Sequence, residues 1–332
     1  AYGGGGSNGS ATAPWTTVAQ GISAAQNGAI VAVAAGSYVE TVQVTQPITL
    51  WGRCPSMVEI VAADPQQPAL LFGDGASAGE VRDIALRGGV LALGVSGATD
   101  VLADRVRVHE GTQHGVEVAP VLGPASLTLR RSLIDNNHGA GMVIGGSQVT
   151  VEETMIRDNL PHLSNQESGR GIVAQHDVPS NSTSLVTVRR SLLEGNHPQG
   201  ITSLASAFSV ESTVIRDTLL SRRPDAPEEQ CGRAISVEAH PTSGANSTFR
   251  LARSLLERNT QLALFLRDTQ ATIEAAVVRD TEVNDLGLYG GGLALQEGPL
   301  PGPDTTLALR GSRFERNREM AVYVGGAQAS IE

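Results

Sequence analysis

RRSLIDNN, Arg130–Asn137, returns along the chain as RRSLLEGN at Arg189–Asn196, ARSLLERN at Ala252–Asn259 and RGSRFERN at Arg310–Asn317. Looser relatives lie between the copies: EETMIRDN from Glu152, ESTVIRDT from Glu211 and EAAVVRDT from Glu274. Ser132, Ser191, Ser254 and Ser312 are separated by 59, 63 and 58 residues, and each long period holds two phrases. Self-similarity at a fixed period marks a repeat architecture and governs every other reading. Each phrase follows a short alternating segment (LTL, VTV, VTV, FSV, FRL, ATI, LAL) and precedes a second apolar one (GMVI, GIVA, GITS, AISV, ALFL, GLAL, AVYV). These segments have period 2 and are too short for helices. Strand, bend, strand and turn, repeated, predict a parallel β-solenoid. Asn137, Asn159, Asn196, Asn259 and Asn317 fall at the bend, where Asn tolerates left-handed geometry and can bond its copy on the next coil.

Loop lengths explain the pairing of phrases. Met142 to Val149 spans 7 residues and Ile172 to Val186 spans 14, and the later coils alternate in the same way. The turn before the second apolar strand also alternates, with 5 residues from Asn137 to Met142 and 13 from Asn159 to Ile172. Every second coil therefore carries two protruding loops. Coils stack about 4.8 Å apart, so the loops recur about every 9.6 Å and form walls along one flank.

Two columns of alternating charge emerge from the same alignment. One reads Arg130, Glu152, Arg189, Glu211, Ala252, Glu274, Arg310; the other reads Asp135, Arg157, Glu194, Arg216, Glu257, Arg279, Glu315. Opposite charges on neighbouring strands attract and like charges repel, so a one-coil slip would set Arg against Arg. Two versions of the phrase alternate because neighbours must differ.

The 332 residues carry a net charge of −10, which argues against nucleic acid or an anionic membrane surface as partner. All 24 basic residues are Arg, which removes Lys from any mechanism. No apolar run is long enough to span a bilayer. The opening AYGGGGSNGS lacks the basic start and apolar stretch of a signal peptide. Cys54 and Cys231 fit neither a disulfide framework nor a zinc spacing, and they fall too many coils apart to pair with each other.

The N-terminal third differs from the rest. TVAQGISAA has helical spacing at Val18, Ile22 and Ala25 with Thr16 or Thr17 as N-cap, and short strands AIVAVA, TVQV and ITLWG follow. Gly28, Val31, Val33, Gly36, Tyr38, Glu40, Val42, Val44, Leu50 and Gly52 form a run that resembles the opening of secreted right-handed parallel β-helix proteins, the pectate-lyase-like superfamily. The resemblance implies an all-β, right-handed parallel β-helix with a short helix covering the first coil, whose open edge would invite aggregation. The expected organisation is a flexible Gly-rich stretch over 1–13 and one β-helix domain over 14–332. Within it we expect a capping helix at 14–28, irregular coils at 29–125 and paired coils at 126–332. The final GGAQASIE shows no cap, so the protein is expected to continue, or its last coil to be covered by a partner or a second copy.

That superfamily contains lyases, glycoside hydrolases and epimerases as well as non-enzymes, so the fold does not give the function. The calcium-binding acids of pectate lyases, the stacked Asp pairs of polygalacturonases and the Asp-Pro-His-Glu-like run of alginate epimerases find no match here. The least bland region is the walled flank. Arg170 and Arg233 align two coils apart with Gln199 between them, and His162, His176, Glu228, Glu229 and Glu238 lie near. The arginines either tie down the loops or clamp a carboxylate or sulfate group of a glycan. Asp225–Glu229 lacks the spacing of a dedicated calcium loop, so no cofactor beyond weak calcium is expected. Two readings stay open. The regular ladder, the 3% aromatic content and the missing motifs favour a secreted or surface-anchored non-catalytic structural or binding module, with a polysaccharide or another surface protein as partner. The alternative is a polysaccharide lyase or glycoside hydrolase acting on an acidic glycan in the loop-walled groove.

Overall fold

The structure, a computed structural model, describes residues 6–164, 168–220, 232–239, 246–298 and 305–332. One coil shows the logic of all. Ser126–Arg130 turns a corner into Leu133–Asp135, which turns again into Gly139–Gly145, and the chain then begins the next coil. Stacked coils form three parallel sheets of twelve, eleven and eleven strands, giving the expected all-β solenoid. Alternate side chains point inward from each sheet. Ile134, Ile156, Leu193, Ile215, Leu256 and Val278 occupy one inward column of the second sheet and are fully buried.

The corners explain the phrase. Its second residue adopts left-handed backbone at Arg131, Glu153, Arg190, Ser212, Arg253 and Ala275 (φ 49° to 52°). Its seventh does so at Asn136, Asp158, Asp217, Arg258, Asp280 and Arg316 (φ 50° to 55°). This conformation is unfavourable for residues other than Gly, and the corner amides offset the cost by bonding the next coil, as Arg131 N–H does to the Glu152 carbonyl at 3.0 Å. The Ser or Thr that follows turns inward. The Ser191 hydroxyl accepts the Thr154 N–H at 3.2 Å and donates to its own Arg189 carbonyl at 2.9 Å. The eighth residue is the buried clamp. Asn196 Oδ1 accepts the Asn159 side-chain amide at 2.8 Å, and Asn196 Nδ2 donates to the Ile156 carbonyl at 3.0 Å. Thr218 and Thr281 take this place on alternate coils and donate to Asn259 and Asn317.

Both charge columns stack in the register read from the sequence, with Arg157 and Arg216 on either side of Glu194. Their bonding is one-sided. Arg216 grips Glu194 at 2.6 Å and Arg279 grips Glu257 at 2.7 Å, each reaching to the coil before it, while the Arg157 guanidinium lies 3.6 Å from the adjacent Asp158. A further ladder runs through the corners themselves. Arg258 forks onto Asp217 with two bonds of 2.9 Å, and Arg316 onto Asp280 at 2.7 and 2.9 Å.

At the N-terminal end the helix Val18–Ala24 is capped by the Thr17 side chain and buries Val18 and Ile22. The Glu40 carboxylate accepts the Val18 and Ala19 N–H groups at 2.8 and 3.0 Å, which favours a helix N-terminus. Gln46 donates to the Ile22 and Ala25 carbonyls at the other end. Gly52 is required by packing, since a Cβ there would lie 2.4 Å from the Asp83 carbonyl oxygen. Cys54 is half-buried with Sγ 3.2 Å from Ser56 Oγ, and Cys231 lies outside the described residues.

Two stability outcomes follow from these ladders. Asn159→Ala strands buried partners on both neighbouring coils and should cost about 1–3 kcal/mol in denaturant unfolding, with Asn159→Thr costing less. Glu194→Arg places three arginines side by side and should lower the melting temperature. Adding Arg216→Glu should recover part of the loss, with a coupling of about 0.5–1 kcal/mol in a double-mutant cycle.

Candidate functional site

The third sheet carries the walled flank. Its outer face is a trough floor three columns wide. The first column runs His114, Ala140, Arg170, Gln199, Arg233, Leu262, Gly291. The second runs Glu117, Val143, Val173, Thr202, Ser236, Phe265, Ala294, Tyr323. The third runs Gly145, Gln175, Leu204, Glu238, Arg267, Gln296, Gly325. Loop residues border the floor. His162 approaches from one wall, where a Cβ on Gly139 would lie 3.3 Å from its ring, and Tyr289 comes from the same wall four coils farther on.

The chemistry-bearing residues of the floor fall into two groups. Arg170, Gln199 and Arg233 share one column as aligned, and Glu238 joins them from the opposite edge of Arg233's own strand. His176 does not: it follows the strand Gly169–Gln175, six residues and roughly 20 Å of extended chain from Arg170. Glu228 and Glu229 lie outside the described residues. Gln199 is buried and accepts the Thr202 hydroxyl.

Arg233 belongs to a compact network. Its Nη1 donates to Ser236 Oγ at 3.1 Å, Ser236 Oγ donates to Glu238 at 2.9 Å, and Arg267 pairs with the other oxygen of Glu238. Both guanidiniums lie over the Phe265 ring, at 4.0 Å for Arg233 and 5.5 Å for Arg267. Phe265, Leu262 and Ala294 form a small apolar cluster separate from the main core. This cluster floors a cavity of about 470 Å³ whose walls include Tyr289, Tyr323 and Met320. The low aromatic content argued against a sugar-stacking surface, yet three of the chain's few aromatic rings converge here. Aligning ALFL, GLAL and AVYV by column already places Phe265, Ala294 and Tyr323 in line. Tyr289 carries no such signal, since it sits in a loop.

The second group lies four to five coils toward the N-terminus and was missed, because residues 29–125 lack the repeated phrase. Glu117 is half-buried on the floor between Gly94 and Val143 and makes no hydrogen bond or ion pair with another described residue. Burial pushes its carboxyl above its ordinary value. His114 stands three residues away on the same strand. Burial pushes its imidazole below its ordinary value, a hydrogen bond to the Gln113 backbone opposes this in part, and the neighbouring His162 adds to the lowering. The site thus presents a neutral imidazole, a carboxyl biased towards its protonated form and, two coils along His114's column, the Arg170 guanidinium. Among the described residues no cluster of three or more His, Cys, Asp or Glu is placed to hold a metal ion.

No protein-family model matches the sequence, and no curated protein sequence matches it. Solved structures match the fold. An alginate lyase from Paenibacillus sp. strain FPU-7 superposes with TM-score 0.59 at 12% identity, covering 94% of this chain and 96% of that one. The A-module of a mannuronan C-5 epimerase from Azotobacter vinelandii gives 0.55 at 15% identity, covering 95% and 94%. A pectate lyase gives 0.52 at 12% identity, covering 98% and 74%. The chain is a parallel β-helix, and at these identities the likeness establishes the fold alone.

The unpartnered carboxyl yields a sign-definite outcome. Below its ordinary value of 4.5 Glu117 is protonated in folded and unfolded chains alike and costs nothing. As pH rises through the raised folded value, ionisation is penalised only in the folded state and stability falls. Glu117→Gln should therefore match the parent in thermal unfolding near pH 4 and exceed it at pH 8.

Proposed function

We propose that this protein is an extracellular polysaccharide-acting enzyme that holds a uronate-type glycan along the trough and breaks it by abstracting a proton beside the carboxylate. The observation that carries this reading is the alignment of His114 and Arg170 in one floor column with Glu117 alongside. The charge of the floor supports it. The chain as a whole is net −10, but the described floor carries three arginines against two acids, one of them already shared by Arg233 and Arg267. The lyases and epimerase that share the fold act on acidic polymers, which favours the enzymatic alternative over a non-catalytic module.

Spacing separates elimination from hydrolysis. Glycoside hydrolysis by paired carboxylates needs them about 5–9.5 Å apart. Glu117 and Glu238 stand four coils apart on the floor, roughly 19 Å. Proton abstraction needs a base, a charge-neutralising group and an acid, and the three residues supply them. Neutral His114 takes the proton from the carbon bearing the carboxylate. Arg170 stabilises the negative charge that spreads onto that carboxylate. The carbon–oxygen bond at the adjacent carbon breaks, a carbon–carbon double bond forms, and the departing oxygen takes the Glu117 proton.

Purified protein incubated with alginate and polygalacturonate, with and without calcium, should release unsaturated oligosaccharides detectable by ultraviolet absorbance. His114→Gln and Arg170→Ala should each lower kcat about 10²–10⁴-fold. Binding of these polymers without turnover would return the protein to the non-catalytic reading, and neither binding nor turnover would defeat the assignment of the trough to acidic glycans.

A further inference from the structure

The Phe265 cavity lies too far from His114 and Glu117 to share in bond breaking. From Glu117 to Phe265 the floor column climbs five coils, roughly 24 Å. We propose that this cavity is an anchoring subsite that seats one pyranose ring of the bound polymer, so that the enzyme engages a long stretch of chain and discriminates against short fragments. The inference rests on the trough being a polysaccharide site and adds where the polymer is held.

Three observations carry it. The first is chemical. A pyranose ring has apolar faces and a polar rim, and the cavity matches both. Tyr289, Tyr323 and Phe265 offer ring surface, while Gln261, Gln296 and Arg233 offer hydrogen-bonding groups at its edge. Its volume of about 470 Å³ lies within the usual range for small-molecule sites. The second is an unmet donor. Arg233 Nε is buried and has no hydrogen-bond partner among the described residues, although Nη1 of the same guanidinium is engaged by Ser236. A buried donor left unmade is costly, and a sugar oxygen seated beside Arg233 would satisfy it once the guanidinium turned towards the cavity it lines.

The third is strain. Tyr289 is the one aromatic residue among the described non-glycine positions with positive φ, at 66°. Left-handed backbone is a marked outlier for so bulky a side chain. The surrounding loop enforces it. Asn284 accepts the Leu286 and Leu288 amides at 3.1 and 2.9 Å, and the Gly290 and Gly291 amides both bond the Gln261 carbonyl. Gly would serve this backbone better, so its replacement by Tyr at the mouth of the cavity points to use of the ring. Opposite it, the Tyr323 ring lies across Gly325, where a Cβ would come within 2.9 Å of the ring.

Strain separates binding from folding in the test. Tyr289→Gly removes the ring and relieves the backbone, so its melting temperature should equal or exceed that of the parent while its affinity falls. By titration calorimetry with size-fractionated hexuronate decamers from alginate and polygalacturonate, Tyr289→Gly and Tyr323→Ala should each weaken binding about tenfold. With alginate and polygalacturonate as substrates the same variants should raise KM and leave kcat unchanged, whereas Arg170→Ala lowers kcat. Parent-like affinity in both tyrosine variants would overturn the anchor and leave the assignment of the trough intact. A lowered melting temperature in Tyr289→Gly would show that the ring is packing material and overturn the anchor as well. Failure of the parent protein to bind any hexuronate oligomer would remove both proposals together.

Discussion

A parallel coil cannot satisfy its own backbone. The strand amides and carbonyls bond the coils on either side, so each coil is stable only when its neighbours are in place and in register. The asparagine at the second corner enforces that register from inside the core. Its carboxamide oxygen takes a donor from the preceding coil and its nitrogen gives one back, as Asn196 does with Asn159 and Ile156. A shift by one residue would leave these groups buried and unpaired, a penalty larger than anything an exposed ion pair supplies. The charge ladders therefore refine a register that the buried amides already hold.

Register in turn builds the trough. Once coils stack without slippage, any residue at a given place in the repeat becomes one tile in a straight column. Arg170, Gln199 and Arg233 line up for this reason, and so do Glu117 and Phe265 although 148 positions separate them in the numbering. The functional surface needs no special loop to bring distant residues together. It needs only outward side chains that depart from the bland Thr and Val of the repeat. The loops then act as side walls, and the loop that ends at Gly290 sets Tyr289 against that floor.

Much of the fold was legible because the repeated phrase encodes geometry at every position. Alternating apolar residues give the strands, the inward Ser or Thr and the Asn give the corners, and the alternating Arg and Glu give the pairing of unlike coils. The left-handed corners were less legible, since Arg, Asp and Glu are unusual there and only their fork-like bonds to the next coil, as in Arg258 with Asp217, explain them. The site was legible in part. The arginine column followed from alignment, but His114 and Glu117 sit in coils without the phrase, and their significance lies in burial on the floor. His176 lies past the far end of the strand that carries Arg170, at the other edge of the floor.

The two-coil period has a consequence for how such a chain can change length. The long-looped coil, such as that of Glu152 and Arg157, and the short-looped coil, such as that of Arg189 and Glu194, form a unit whose top complements its own bottom. Insertion or loss of one coil would set like charges face to face and place two looped coils together. Insertion or loss of a pair, some 60 residues, would leave every ladder intact and lengthen or shorten the trough by about 9.6 Å. Tandem duplication of this module is thus structurally near-silent at its seams. A lineage built on it can adjust the reach of its groove in fixed increments while the ends, with the helix cap at one and the irregular coils beside it, stay unaltered.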